Sequence, residues 1–223
     1  MMRGCMYGLL LVLSCWAPMA VADQAVSGGA TSASMSAEEE YQAGVKAAMD
    51  DDPVSAAKLF AGAAERGHAG AQARLAFIVK DGSGQKQALE LFRRAAEQGN
   101  AVGQYGLGLM HMEKPYLDFA EARKWLTMAA DQGYESATIV MAKSYLSGGL
   151  GLDEKERNGP ETVKWLKRAA EFDDGPMIKE LADAYRKGKY GLEVDLKQAA
   201  EWEVKYREVT GTKLEKKRTK RRF

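Results

Sequence analysis

Residues 91–103 read LFRRAAEQGNAVG, and residues 125–137 read WLTMAADQGYESA. Both stretches place a bulky apolar residue four positions before a pair of alanines and eight positions before a glycine. A repeated catalytic site would keep reactive polar groups, whereas these stretches keep the sizes of apolar side chains. The pattern therefore indicates a repeated packing unit.

The bulky position recurs along the chain at intervals of 32 to 40 residues, as Leu59, Leu91, Trp125, Trp165 and Trp202. Intervals of this length are typical of helix–turn–helix solenoids. Four copies continue with the alanine pairs 63–64, 95–96, 129–130 and 169–170. This spacing puts a large side chain beside small ones, so that a neighbouring helix can approach closely. We interpret the bulky residues, the three tryptophans included, as core residues.

Helix boundaries are also written into each copy. Residues that favour N-caps stand seven positions before the bulky residue: Asp52, Gly84, Asp118, Asn158 and Asp195. Glu or Gln follows three positions later in four copies, which predicts capping boxes there. The helices are predicted to end at Gly67, Gly99 and Gly133.

A second, preceding helix is visible in a large residue followed by a small one, as in Leu75-Ala76, Leu107-Gly108, Met141-Ala142 and Leu181-Ala182. The chain is therefore predicted to be all-α, as a right-handed α/α superhelical solenoid of about five helix–turn–helix repeats. The insertion SGGLGLDEKERNGPE at residues 147–161 is predicted to be a protruding surface loop.

Residues 181–202 read LADAYRKGKYGLEVDLKQAAEW. Together with WLKRAA and WLTMAADQG, this unit resembles the Sel-one-like repeat family, the α/α relative of the tetratricopeptide repeat. The resemblance covers residues 37–211, and it implies an adaptor or regulator in an envelope or signalling assembly, with neither catalysis nor a cofactor. A secreted branch linked to β-lactam binding or hydrolysis carries a disulfide in each repeat, whereas this chain has no cysteine beyond Cys15. The positions that match the family pattern are Leu181, Ala182, Tyr185, Gly188, Gly191, Asp195, Ala199 and Trp202.

The first 22 residues have the pattern of a secretory signal peptide. Arg3 is followed by the apolar run 7–17 and by Ala-Val-Ala at 20–22, which predicts cleavage after Ala22 and a periplasmic or secreted protein. The alternative is a lipoprotein acylated at Cys15. Residues 23–36 are small and polar and are predicted to form a flexible linker.

Charge and residue types exclude several classes of site. The predicted signal peptide holds one of the 32 basic residues and none of the 31 acidic ones, so the remainder is balanced and gives no reason to expect nucleic acid as a partner. The two histidines, His68 and His111, have no partners at metal-ligand spacing, so no metal site is predicted. No nucleophile elbow or phosphate-binding loop is present.

Two surfaces are candidates for binding a partner. On the first helix of each pair, positions two, six and nine after the leading small residue point away from the core seam, although they could equally pack against neighbouring helices. Residues 212–223 form a basic tail, which is either a solvated helix end or a contact for anionic head groups or an acidic protein patch. The helix positions are Phe77, Lys80, Tyr105, Leu109, Met112, Ile139 and Lys143. The basic residues of the tail are Lys213, Lys216, Lys217, Arg218, Lys220, Arg221 and Arg222.

These observations lead to three functional hypotheses. The first is a periplasmic protein–protein interaction scaffold or regulator, whose partner is another envelope or periplasmic protein. The second is an immunity or inhibitor protein that caps a toxin or an enzyme. The third is a β-lactam-binding hydrolase of the secreted repeat branch.

Overall fold

The computed structural model describes residues 35–220, with the backbone alone for 212–220. This part of the chain forms α-helices and one short 3₁₀ turn, Gly82–Gly84, and contains no strand. The predicted signal peptide, Cys15 and most of the predicted linker lie outside the described residues. The helices are α1 Ala37–Met49, α2 Pro53–Glu65, α3 Ala69–Val79, α4 Gln85–Glu97, α5 Ala101–Met110, α6 Phe119–Asp131, α7 Glu135–Ser147, α8 Glu154–Arg157, α9 Pro160–Glu171, α10 Gly175–Lys187 and α11 Leu196–Lys220.

The helices pack in chain order, each long helix against the next. They form five pairs, α1–α2, α3–α4, α5–α6, α7–α9 and α10–α11, with the short α8 inside the fourth pair. Contacts between neighbours in sequence are what a solenoid requires, because each unit buries its apolar face against the next one. The prediction of an all-α repeat solenoid is confirmed.

The side chains at the centre of the repeats lie one residue after the predicted position. Phe60, Phe92, Leu126 and Leu166 are each at most 3% exposed. Trp165 is also buried, but Trp125 and Trp202 are only partly buried, so their interpretation as core residues was wrong. In α6 the buried residues Ala122, Leu126, Ala129 and Ala130 follow the helical spacing of four, three and one, which turns Trp125 about 100° away from the seam.

The predicted glycine ends are confirmed, and they explain why the alanines come in pairs. Gly67 has a φ of 87°, its amide donates to the Ala64 carbonyl, and the His68 amide donates to the Ala63 carbonyl. These two bonds form a Schellman motif. The same pair of bonds follows α4 at Gly99 and α6 at Gly133. The alanine pair therefore supplies small side chains for packing and also the carbonyls that close the helix.

Polar side chains tie successive repeats together at these helix ends. The buried Gln72 of α3 donates to the Ala64 carbonyl, 3.3 Å away, and accepts from Gln98 at 2.9 Å. The next repeat has the same arrangement, in which the buried Gln104 donates to the Ala96 carbonyl and accepts from Gln132. Each of these carbonyls already accepts from the amide of the closing glycine, so the glutamine is an additional donor to it. The bonds satisfy the buried glutamine amides and join each first helix to the end of the preceding repeat.

The helix starts follow the predictions only in part. Asp52, Asp118 and Asp195 accept hydrogen bonds from amides of the following turn, as predicted. Gly84 caps α4 without a side chain, and α9 is capped by Gly159 rather than by Asn158. Among the described helices, capping boxes form at the starts of α1 and α8, which are outside the predicted set. In α6 the predicted partner, Glu121, accepts instead from Trp125 Nε1 and Lys124.

The insertion at residues 147–161 is packed rather than protruding, which corrects the prediction. Leu150 and Leu152 are 1% and 7% exposed and belong to the largest core cluster. Arg123 donates to the Leu150 carbonyl at 3.1 Å, and Arg157 donates to the Leu146 carbonyl at 3.1 Å. The loop folds inward because its two leucines bury apolar surface in the core cluster. Two part-buried carbonyls also gain arginine donors, which join the loop to α6 and to the end of α7.

Candidate functional site

The starts of the first helices share a capping role that the sequence analysis missed. His68 Nδ1 accepts from the Ala71 amide at 3.0 Å, and Asn100 and Asp174 cap α5 and α10 in the same way. Tyr134 occupies this position before α7 and makes no side-chain cap. A missing cap costs a helix about 1 kcal/mol. Tyr134 is therefore a departure from the repeat that helix stability does not explain.

The Tyr134 ring instead ends a row of aromatic side chains. Its centroid lies 5.1 Å from Tyr105, which is 6.3 Å from Phe77, which in turn makes an edge contact with Phe92 at 4.7 Å. Burial raises the pKa of the Tyr105 phenol above its ordinary value, and the Tyr134 phenol beside it adds to the effect. The row thus offers an apolar surface that also carries phenol hydroxyls.

A groove of about 610 Å³ lies along this row. It begins at the turn between α1 and α2, crosses α3, and reaches the start of α5 and Tyr134. Most of its wall is apolar, and Ile78 remains 48% exposed there. We call it the first-helix groove. Its lining residues are Ala48, Asp51, Pro53, Ala56, Phe60, Arg74, Phe77, Ile78, Val102 and Tyr134.

Arg74 is the cation of this groove. Its Nε donates to the Tyr41 hydroxyl at 3.2 Å, and its guanidinium carbon lies 5.7 Å from the Phe60 ring centroid and 5.8 Å from that of Tyr41. Within residues 35–211, no carboxylate lies at ion-pair distance from Arg74. The guanidinium is held in place by rings and a hydroxyl, without a neutralising partner in this part of the chain.

The predicted helix positions lie in different surroundings. Phe77 lines the first-helix groove, and Tyr105 reaches it through contacts with Phe77 and Tyr134. Lys80 is exposed at the end of α3, with its Nζ 5.9 Å from the Phe77 ring centroid. Met112 packs against the largest core cluster. The remaining three positions are not among the residues that line the groove. Leu109 and Ile139 are half-buried, and Lys143 is exposed.

The predicted binding positions include residues that serve in packing, as a comparison with the same positions of the last repeat shows. There they are Lys179, Asp183 and Arg186, which line a cleft of about 290 Å³ between α10 and α11. In the inner repeats, Tyr105 at the corresponding position contacts Tyr134 before α7, and both Tyr105 and Met112 pack against the largest core cluster. These helix positions therefore serve mainly in packing, and they are available to a partner only where the groove leaves them open.

The basic tail and the histidines complete the predicted sites. Helix α11 continues across residue 212 to Lys220, but the tail side chains from Lys213 onward lie outside the description, so their role stays a prediction. His111 Nδ1 lies 2.9 Å from the Tyr116 carbonyl oxygen. Among the described residues, no group of three metal-ligating side chains comes together, and no helix is long and apolar enough to span a bilayer.

Comparison with solved structures gives several similar chains. A protective antigen present in uropathogenic Escherichia coli strains, which displays an SLR fold, has a TM-score of 0.63 at 28% identity, over 76% of this chain and 38% of its own. A Sel1 repeat protein from Oxalobacter formigenes has a TM-score of 0.57 at 24% identity, over 76% of this chain and 70% of its own. The second likeness concerns the fold alone.

Comparison by sequence gives a curated relative and a family. An F-box protein of Arabidopsis thaliana is 33% identical over 99 residues, which are 44% of this chain and 27% of that protein. This chain thus spans little more than a quarter of the plant relative. The Sel1 repeat matches residues 35–68, 69–100, 101–134, 139–171 and 179–202, one match for each helix pair. The chain belongs to the Sel1 repeat family.

Proposed function

We propose that this chain is a non-catalytic scaffold or regulator that binds another protein, and that the first-helix groove receives the partner. Sel1 repeats generally mediate protein–protein interaction. The observation that carries the proposal is the apolar groove itself, in which Ile78 stays 48% exposed and Tyr134 replaces a helix cap. Open apolar grooves of this size are characteristic of binding sites.

The packing of the first helices supports this choice of surface. Helix α3 touches α5 directly, in addition to its contacts with α2 and α4. Helices that lie closest together in a solenoid form the inner side of its curve, and solenoids use their concave surfaces for binding. The groove crosses α3 and reaches α5, so a bound segment would contact two or more repeats at once.

Replacing Ile78 by serine should weaken binding of the partner about 10- to 100-fold, because burying one isoleucine side chain contributes about 1.5–3 kcal/mol. The matched control is Val204→Ser, since Val204 is 46% exposed on α11 and lies away from the groove lining. Both variants and a deletion of residues 213–223 would be used in quantitative co-purification with mass spectrometry. The specific partner should be lost with Ile78→Ser and kept with Val204→Ser.

The tail deletion distinguishes the groove from the basic tail. If the tail only steers the encounter, its deletion should slow association at low ionic strength, and the effect should shrink as salt is added. A partner that is kept by Ile78→Ser but lost with the deletion at every salt concentration would contradict the proposal. The repeats would then present their own C-terminus rather than bind through the groove.

Export to the periplasm is part of the same proposal, and it is supported by the residue pattern of positions 1–22. We expect the mature chain to begin at Asp23. Intact-mass measurement of the chain purified from a bacterial envelope fraction checks this. An acylated Cys15 would instead assign the protein to a membrane surface, and an uncleaved chain would remove the support for export.

A further inference from the structure

Arg74 gives the first-helix groove a chemical preference as well as a shape. Of the described residues that line the groove, Arg74 is the one cation and Asp51 the one acid. Asp51 lies at the end formed by the turn between α1 and α2, and it adjoins Asp50 and Asp52 in the chain. Arg74 lies on α3, one helical turn before Phe77 and Ile78, and lines the groove together with them.

The guanidinium is positioned before any partner arrives. The Tyr41 hydroxyl takes the Nε–H, and the rings of Tyr41 and Phe60 hold the planar group at 5.8 and 5.7 Å. Arginine has five N–H donors, and within the described residues the Nη donors of Arg74 have no hydrogen-bond acceptor. Two other described arginines have carboxylate partners, since Arg66 pairs with Glu40 and Arg168 pairs with Asp131.

We infer that the segment bound in the first-helix groove carries one aspartate or glutamate flanked by aliphatic or aromatic side chains. The carboxylate would accept from the Nη donors of Arg74, a geometry that suits a planar guanidinium. The flanking side chains would cover Ile78 and the aromatic row. The acidic run at residues 50–52 disfavours further carboxylates at the other end, so a polyacidic segment should gain nothing. This inference rests on the proposed function, since it names the partner chemistry of the same groove.

The test uses a random 12-residue peptide library displayed on phage and selected on the purified full chain. The peptides retained are those whose binding is lost on Ile78→Ser. One of them and its twin, with Asp changed to Asn or Glu to Gln, are then titrated by fluorescence anisotropy. The titrations use the parent chain, Arg74→Met and Arg94→Ala. In Arg74→Met, the methionine keeps an apolar stem over the rings but removes the charge. Arg94→Ala is the control, because Arg94 is an exposed arginine of α4 that pairs with Glu90.

We expect the retained peptides to share one acid beside apolar residues. The amide twin should bind the parent chain about 10- to 100-fold more weakly, because a hydrogen bond to a charged group is lost. Arg74→Met should bind both peptides as weakly as the parent binds the twin, while Arg94→Ala should behave as the parent. Circular dichroism of each variant checks that the helices are intact. Selection on Arg74→Glu should return basic residues in place of the acid.

The two proposals fail in different ways. If peptides that need Ile78 bind equally well with and without their acid, or bind Arg74→Met as tightly as the parent, the inference about the carboxylate is wrong and the groove still binds peptides. If the library yields no peptide whose binding depends on Ile78, the groove is not a peptide site. The proposed function of the groove then fails, and the inference fails with it.

Discussion

Replacing Leu126 by alanine should lower the free energy of unfolding by about 2–5 kcal/mol, the range for fully buried leucines. Leu126 is 0% exposed in α6, and it lies so close to α5 that a Cβ added at Gly108 would stand 2.7 Å from its Cγ. The change therefore opens a cavity between the two helices of one pair, within the largest core cluster. Guanidinium denaturation followed by circular dichroism measures the loss.

Two neighbouring variants on the same helix serve as controls. Met128→Ala should change the free energy of unfolding by no more than about 0.5 kcal/mol, because Met128 is 41% exposed. Trp125→Ala should cost less than Leu126→Ala despite the larger side chain, because Trp125 is only partly buried and its Nε1 bonds to the helix surface at Glu121. A larger loss at Trp125 than at Leu126 would restore the tryptophan as the central residue of the repeat.

The repeat and its fold were predictable from the sequence because the pattern of side-chain sizes recurs five times. The error of one residue in the core has a physical reason. Trp125 and Leu126 are both large and apolar, and both lie three or four residues from Ala122 and from Ala129. The neighbour that decides which one faces the seam is Ala130, which is four residues after Leu126 but five after Trp125. The repeats were aligned on the position of the tryptophan because it is the larger residue. The three alanines around Leu126 were the better guide.

The packed insertion was not predictable from its length, but a signal was present in its composition. Leu150 and Leu152 stand where the last repeat has Tyr190 and Leu192, and the glycines at 148 and 151 match those at 188 and 191. Leu150 and Tyr190 both have a φ of 57°, between glycines that also have positive φ. The loop thus begins with the turn of the family repeat, and the stretch from Leu152 to Trp165 is only three residues longer than the stretch from Leu192 to Trp202.

The groove could not be read from one repeat, because its walls come from residues as distant as Asp51 and Tyr134. Which side chains meet there depends on how three helix pairs are placed beside each other. One local signal was available, namely the position after the residue of positive φ that closes the second helix, which holds His68, Asn100 and Asp174 in other copies. Tyr134 breaks that column of cap residues. Departures from a repeat that cost stability tend to mark functional positions.

Replacing Gly103 by alanine should lower the free energy of unfolding by about 1–3 kcal/mol, although alanine is the better helix former by about 1 kcal/mol. A Cβ at Gly103 would lie 2.5 Å from Ala95 Cβ and 2.9 Å from the Ala95 carbonyl carbon. Backbone atoms cannot turn aside as a side chain can, so α5 would have to move away from α4. That movement also weakens the bond from Gln104 to the Ala96 carbonyl.

Gly211→Ala is the matched control, since Gly211 lies within α11 and a Cβ there would meet no atom within 4 Å. It should raise the free energy of unfolding by about 0.5–1 kcal/mol, because only the helix propensity changes. Chemical denaturation of both variants gives the comparison. Alanine stands at the position of Gly103 in two other repeats, as Ala71 and Ala137, and both are fully buried there. A Gly103→Ala variant as stable as the parent would show that α4 and α5 also accommodate a Cβ without cost, and that their close approach is not required by the core.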